Sequence, residues 1–135
     1  MYLVDSSVLL EGLLLQERAD EVKQFLLRAP AGSLHLSDFS LHSIGLILTR
    51  AKLHDVFVQF VEDTVVRGFL RVLSLPAEAL PQAVKHQLQH ALDFDDAYQY
   101  ALAELYGLTI VSFDADFDRT PKGRKQPYEA LQQLT

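Results

Sequence analysis

Four short apolar runs, residues 2–5, 34–37, 69–75 and 108–113, are separated by segments too long for hairpin turns and patterned as helices. Strands that alternate with helices in this way lie parallel, because each must cross back over the sheet before the next begins. The fold class expected is therefore α/β, a small parallel sheet flanked by helices on both faces. Residues 108–113, Leu-Thr-Ile-Val-Ser-Phe, form the clearest strand because β-branched side chains suit a pleated surface.

The helices follow from apolar spacing and stop signals. Ser6 and Ser7 can cap a helix that turns Val8, Leu9, Leu13 and Leu14 inward. Residues 19–27 place Val22, Phe25 and Leu26 on one face and end at Ala-Pro-Ala-Gly. Ser37 or Asp38 caps a helix to about residue 51, with Leu41, Ile44 and Leu48 inward. Further helices are expected over 55–68 (Val58, Val61 and Val65 inward), 77–92 and 95–106, the last stopped by Gly107. Residues 128–134 close the chain as a short helix or strand. No repeat or linker interrupts 1–135, so one domain is expected.

Composition narrows the function. At 49% apolar and 22% charged, the 135 residues describe a globular chain. The absence of cysteine excludes disulfides and thiolate zinc sites and fits a reducing cytoplasm. No signal peptide is visible after Met1, and no apolar run approaches the roughly 20 residues that span a membrane. The net charge of −6, from 12 basic and 18 acidic residues, argues against nucleic-acid binding through phosphate contacts alone. It is compatible with carboxylates that a metal neutralises.

The positions of the acids carry the functional reading. Open parallel sheets place their ligand sites at the carboxyl ends of the strands. Tyr-Leu-Val-Asp5 and Ile-Val-Ser-Phe-Asp114 both end there, and Asp116 lies in the same loop. Asp96 opens the helix just before the Asp114 strand, although Asp95 and Asp96 can also serve as caps. Carboxylates repel one another, so gathering four without a cation costs free energy. An all-oxygen set suits a hard ion, Mg²⁺ or Mn²⁺, and such an ion can activate water and hold a phosphodiester for in-line attack.

In these residues the chain resembles the PIN-domain family, which includes the VapC-type toxins of toxin–antitoxin pairs. The matching pieces are Asp5-Ser6-Ser7-Val8-Leu9 after an apolar run, Asp96-Ala97 with Ala101, and Leu108 through Asp114-Ala-Asp116-Phe117, followed by Arg119 and Gly123-Arg124-Lys125. The resemblance implies a PIN-like three-layer α/β/α domain and a metal-dependent endoribonuclease. It also implies Asp5, Asp96 and Asp114 as metal-binding acids, with Asp116 as the second acid of the loop. RNA is then the substrate, a small antitoxin a partner, and a homodimer the common assembly. One position departs from the pattern: the family usually carries a glutamate in the helix after the second strand, where this chain has Ser43. Asp38 stands near the same edge and is either a substitute ligand or a plain N-cap.

Other motifs fail on spacing. Asp114-x-Asp116-x-Asp118 begins like a calcium loop, but the sixth and twelfth positions are Arg119 and Lys125. Pro121-Lys122-Gly123-Arg124-Lys125 lacks the order of a phosphate-binding Walker loop, yet with Arg119 it offers phosphate contacts or a solvated basic loop. His86 and His90 are four apart but lack a third ligand, so surface placement is expected. The rival to a nuclease is a catalytically degenerate PIN domain that binds protein or RNA, motivated by Ser43.

Overall fold

The computed structural model describes residues 1–134. Its strands are β1 (Tyr2–Val4), β2 (Leu34–Ser37), β3 (Arg71–Leu73) and β4 (Thr109–Val111), all parallel in the order β3-β2-β1-β4. The α-helices are α1 (Ser6–Leu13), α2 (Ala19–Arg28), α3 (Asp38–Arg50), α4 (His54–Phe60), α5 (Leu80–His90), α6 (Phe94–Tyr106) and α7 (Pro127–Gln133). The parallel α/β architecture expected from the sequence is the one found, and residues 128–134 are resolved in favour of helix.

Period-2 alternation divides the sheet between two cores. Tyr2, Val4, Leu34, Leu36 and Val111 pack with Val8, Phe25, Ile44 and Leu48 on one face. Leu3 and Ile110 point the other way, onto Ala97, Tyr100, Leu102 and Phe117. The sheet therefore sits between two helical layers. Within the first core, the Tyr2 and Phe25 rings meet edge to face at 5.2 Å.

β1 lies between β2 and β4: the chain runs outward from β1 through β2 to β3, then crosses back to place β4 on the other side of β1. That reversal is a switch point, where the loops after two neighbouring strands diverge and open a crevice. The register pairs Val4 with Val111, so residue 5 and residues 112–114 leave the sheet side by side. The Asp5 N–H donates to the Val111 carbonyl at 2.9 Å and extends the pairing one residue into the loop.

Two helices differ from the sequence expectation. The segment 55–68 is not one α-helix: α4 ends at Phe60 and passes into a π-helix over Val61–Val66. The Thr64 hydroxyl donates to the Phe60 carbonyl at 2.6 Å, taking an acceptor from the regular ladder in a run of β-branched residues. The inward face shifts with it: Phe60 is buried, whereas Val58 is exposed. Residues 77–92 begin as a 3₁₀ turn, Ala77–Ala79, before α5 starts with Pro81 in its first turn.

Gly107 ends α6 in the left-handed region at φ 65°, as expected of a glycine after the last helical residue. A β-carbon there is strained, so Gly107→Ala should lower stability by about 1–2 kcal/mol. Urea unfolding should show the midpoint moving down with an unchanged slope; an unaltered midpoint would contradict this account of the turn.

Candidate metal centre

Asp5 directly follows β1 and occupies the N-cap position of α1, displacing the Ser6-Ser7 cap expected from the sequence. Its side chain does not cap the helix. One oxygen, Oδ1, accepts from Gln99 Nε2, and Oδ2 accepts from the Ser7 and Ser112 hydroxyls, each at 2.7 Å. A buried carboxylate is thus met by three donors, which offsets the cost of removing it from water.

Asp96 sits in the first turn of α6 and is buried. Asp93 holds the N-cap position, so neither Asp95 nor Asp96 is the capping residue. Burial pushes the Asp96 carboxyl up to about 7, and the charges of Asp95, Asp114, Asp5 and Asp116 push in the same direction. Asp114 opens a 3₁₀ turn, Ala115–Arg119, by accepting the Asp116 N–H at 2.9 Å. This turn brings Asp116 back toward α6.

Asp96, Asp114 and Asp116 can each present a carboxylate oxygen within 4.8 Å of the other two. Asp93, Asp95 and Asp96 form a second such trio, two of them exposed. Asp5 belongs to neither trio, although its charge acts on Asp96. The donors are all hard oxygens, and the one buried member is held toward its neutral form by its burial and then by its acidic neighbours. A small divalent cation fits both facts, since it supplies the opposite charge that the cluster lacks.

Asp38 lies elsewhere in the network. Ser37 caps α3 by accepting the Ser40 N–H, while Asp38 accepts from Tyr98 Oη and Phe39 N–H at 2.8 Å and from Ser74 Oγ at 3.0 Å. These bonds tie α3 to α6 and to the chain after β3, apart from both acid trios. Ser43 is half-buried and lines a groove of about 460 Å³ with Asp38, Phe39, His42, Phe94 and Tyr98.

The basic loop partly answers the acidic one. Arg119 pairs with Asp116 at 2.9 Å, and Arg124 pairs with Asp118 while donating to the Ser112 carbonyl. Lys122 and Lys125 make no ion pair among the described residues. His86 departs from its expected surface position: it is buried between α5 and α6, edge-on to the Tyr100 ring. Its Nε2 is 3.2 Å from Glu104 Oε2, but neither ring nitrogen forms a well-aligned hydrogen bond.

The sequence reading missed Gln99 and Ser112. Gln99 stands three residues after Asp96, hence on the same helical face, and Ser112 is two residues before Asp114. Those spacings were the available signal.

The family model described as PIN domain matches residues 2–123. Among solved structures, the chain is similar to VapC20 of Mycobacterium tuberculosis, described as a Sarcin-Ricin loop cleaving toxin. The TM-score is 0.73 at 22% identity, covering 87% of this chain and 93% of that one. It is also similar to a toxin–antitoxin complex from Klebsiella pneumoniae (0.73, 20% identity, covering 96% and 99%). A third similar structure is FitAcB from Neisseria gonorrhoeae (0.75, 20% identity, covering 95% and 99%). No match was found among curated protein sequences. Structural likeness at these identities establishes a shared fold, and the family match extends over most of the length: the chain belongs to the PIN-domain family.

Proposed function

We propose that this PIN domain is a divalent-metal-dependent endoribonuclease that hydrolyses RNA phosphodiesters, acting as the toxin of a toxin–antitoxin pair. The observation that carries the reading is the convergence of Asp96, Asp114 and Asp116 at the switch point, with Asp5 beside them. Family membership and the toxins among its structural relatives support it.

In this reading Asp5, Asp96 and Asp114 would hold Mg²⁺ or Mn²⁺, with Asp116 assisting from the same loop as Asp114. When bound, the ion supplies Lewis acidity toward the phosphodiester and lowers the pKa of water. Arg119 holds Asp116 in place, and Lys122 and Lys125 offer the backbone phosphates a positive charge that the acidic body lacks. Asp38 is the weakest candidate, because it belongs to neither acid trio and its charge is not among those that raise the Asp96 carboxyl. The whole of 1–135 is read as one working unit, since α7 packs on α2 and partly covers the first core.

The partners follow from the same reading. A small antitoxin needs an apolar surface, and a groove of about 470 Å³ lined by Leu9, Leu13, Leu26, Phe60 and Leu70 offers one. A homodimer would cover exposed Leu46 and Ile47 on α3 and Val84 and Leu88 on α5. No helix among the described residues is long and apolar enough to cross a membrane; an enzyme acting on cellular RNA would work in the cytoplasm.

Asp5→Asn and Asp114→Asn should each abolish Mn²⁺-dependent cleavage of RNA while the far-ultraviolet circular dichroism stays native. A variant that cleaves fully without metal would sink the mechanism. Titration of the wild-type chain with Mn²⁺ separates the nuclease from the binding module suggested by Ser43: absence of both binding and cleavage favours the module.

The raised Asp96 carboxyl gives a pH signature. Its folded value, about 7, lies above the ordinary aspartate value of 3.8, so the folded state favours the proton. Stability from this group is full below the lower value and is lost as pH rises toward the upper one. Without metal, Asp96→Asn should therefore unfold at a higher temperature than wild type at pH 8, with the margin shrinking by pH 5. Mn²⁺ must displace that proton, so wild-type affinity should rise with pH and level off above about 7. Thermal unfolding in chelator and calorimetric titration across this range check both outcomes.

At high protein concentration, sedimentation should give twice the monomer mass, and Leu88→Asp with Val84→Asp should return it to the monomer. A monomeric wild type rejects the dimer.

A further inference from the structure

Gln99 is a neutral residue buried in the midst of acids, on the face of α6 that also carries Asp96. All three of its side-chain bonds go to groups that follow β1, end β2 or open α3 at the edge of the sheet. Its Oε1 accepts from the Ser37 hydroxyl at 3.2 Å and the Ser40 hydroxyl at 3.0 Å. Its Nε2 donates to Asp5 Oδ1. The Ser40 N–H in turn donates to Ser37 Oγ at 2.9 Å, which leaves the Ser37 proton for Gln99.

This pattern fixes the amide in one orientation. An ionised carboxylate can only accept, so the nitrogen of Gln99 must face Asp5 and the oxygen must face the hydroxyls. Asp5 is thereby gripped from two sides, by Gln99 on one oxygen and by Ser7 and Ser112 on the other. A free aspartate samples several side-chain rotamers, and ordering it costs free energy at the moment a cation binds. Here the ordering is complete beforehand. It is also anchored in the first turn of α3, the helix whose Ser43 brings no acid to the centre.

We infer that Gln99 is a positioning residue for the metal centre, which orients the Asp5 carboxylate for a divalent cation by linking it to Ser37, the N-cap of α3, and to Ser40 in its first turn. This rests on the metal-dependent reading above. Groups that hold a ligand typically contribute 10- to 100-fold to metal affinity when removed. Gln99 acts through Asp5, so the loss should fall on the metal and not on RNA binding.

The test compares wild type, Gln99→Leu and Ser40→Ala by Mn²⁺ titration calorimetry and by cleavage at increasing Mn²⁺. Gln99→Leu should weaken Mn²⁺ binding by about 10- to 100-fold. Its kcat should recover at saturating Mn²⁺, with the KM for RNA unchanged. Ser40→Ala keeps the amide but frees one side of it, and should give a smaller loss in the same direction. If Gln99→Leu fails to fold, Ser40→Ala decides alone. Wild-type Mn²⁺ affinity in folded variants overturns the role of Gln99 and leaves the nuclease reading standing. A wild-type chain that binds no Mn²⁺ overturns both.

Discussion

Like charge concentrated at one edge of a parallel sheet is the constraint around which this molecule is organised. β1 and β4 lie side by side, and the aspartates that follow them cannot move apart without breaking the register of Val4 against Val111. The repulsion has to be met locally. At Asp5 it is met by donors, from Gln99, Ser7 and Ser112. At Asp116 it is met by Arg119. At Asp96 burial and four neighbouring acids act together, and its carboxyl rises to about 7. The uncompensated part of the cluster is the part that a cation would fill.

The surrounding fold supports that edge from both layers. In the first core, Val8 and Leu9 of α1 hold the turn containing Asp5 and Ser7 against the sheet. In the second, Ala97, Ala101 and Leu102 bury α6 and hold Asp96 and Gln99 beneath the strand ends. Small alanines on α6 let it approach the sheet closely, which its polar residues at the same end require. The packing that stabilises the domain and the placement of its acids are thus one arrangement, since the same helices supply both.

Gln99 shows how a neutral side chain can serve an acidic centre. Its amide has a donor for the carboxylate and an acceptor for the hydroxyls, so it joins α6, α3 and the end of β1 without adding charge. Asp38 illustrates the opposite outcome. It is an acid near the right edge, yet it joins neither acid trio, and its bonds to Tyr98, Ser74 and the Phe39 N–H tie helices and loop together instead.

Much of the architecture was legible in the residues themselves. The period of 2 in the strands, the helical spacing of Val22 and Phe25 or Ile44 and Leu48, and the stop at Gly107 are local signals that the fold agrees with. The terminal acids of two strands were also visible, because a parallel sheet sends its strand ends to one edge whatever the order of the strands. What the tertiary structure decided depends on neighbours distant in sequence. It put β4 beside β1 rather than beside β3, selected Asp96, Asp114 and Asp116 as a trio, gave Asp5 its donors, and bonded Asp38 to Tyr98 and Ser74. It also opened 61–66 into a π-helix and buried His86. Periodicity records which way a side chain faces along its own element; which partner it meets across the gap is set by how those elements pack.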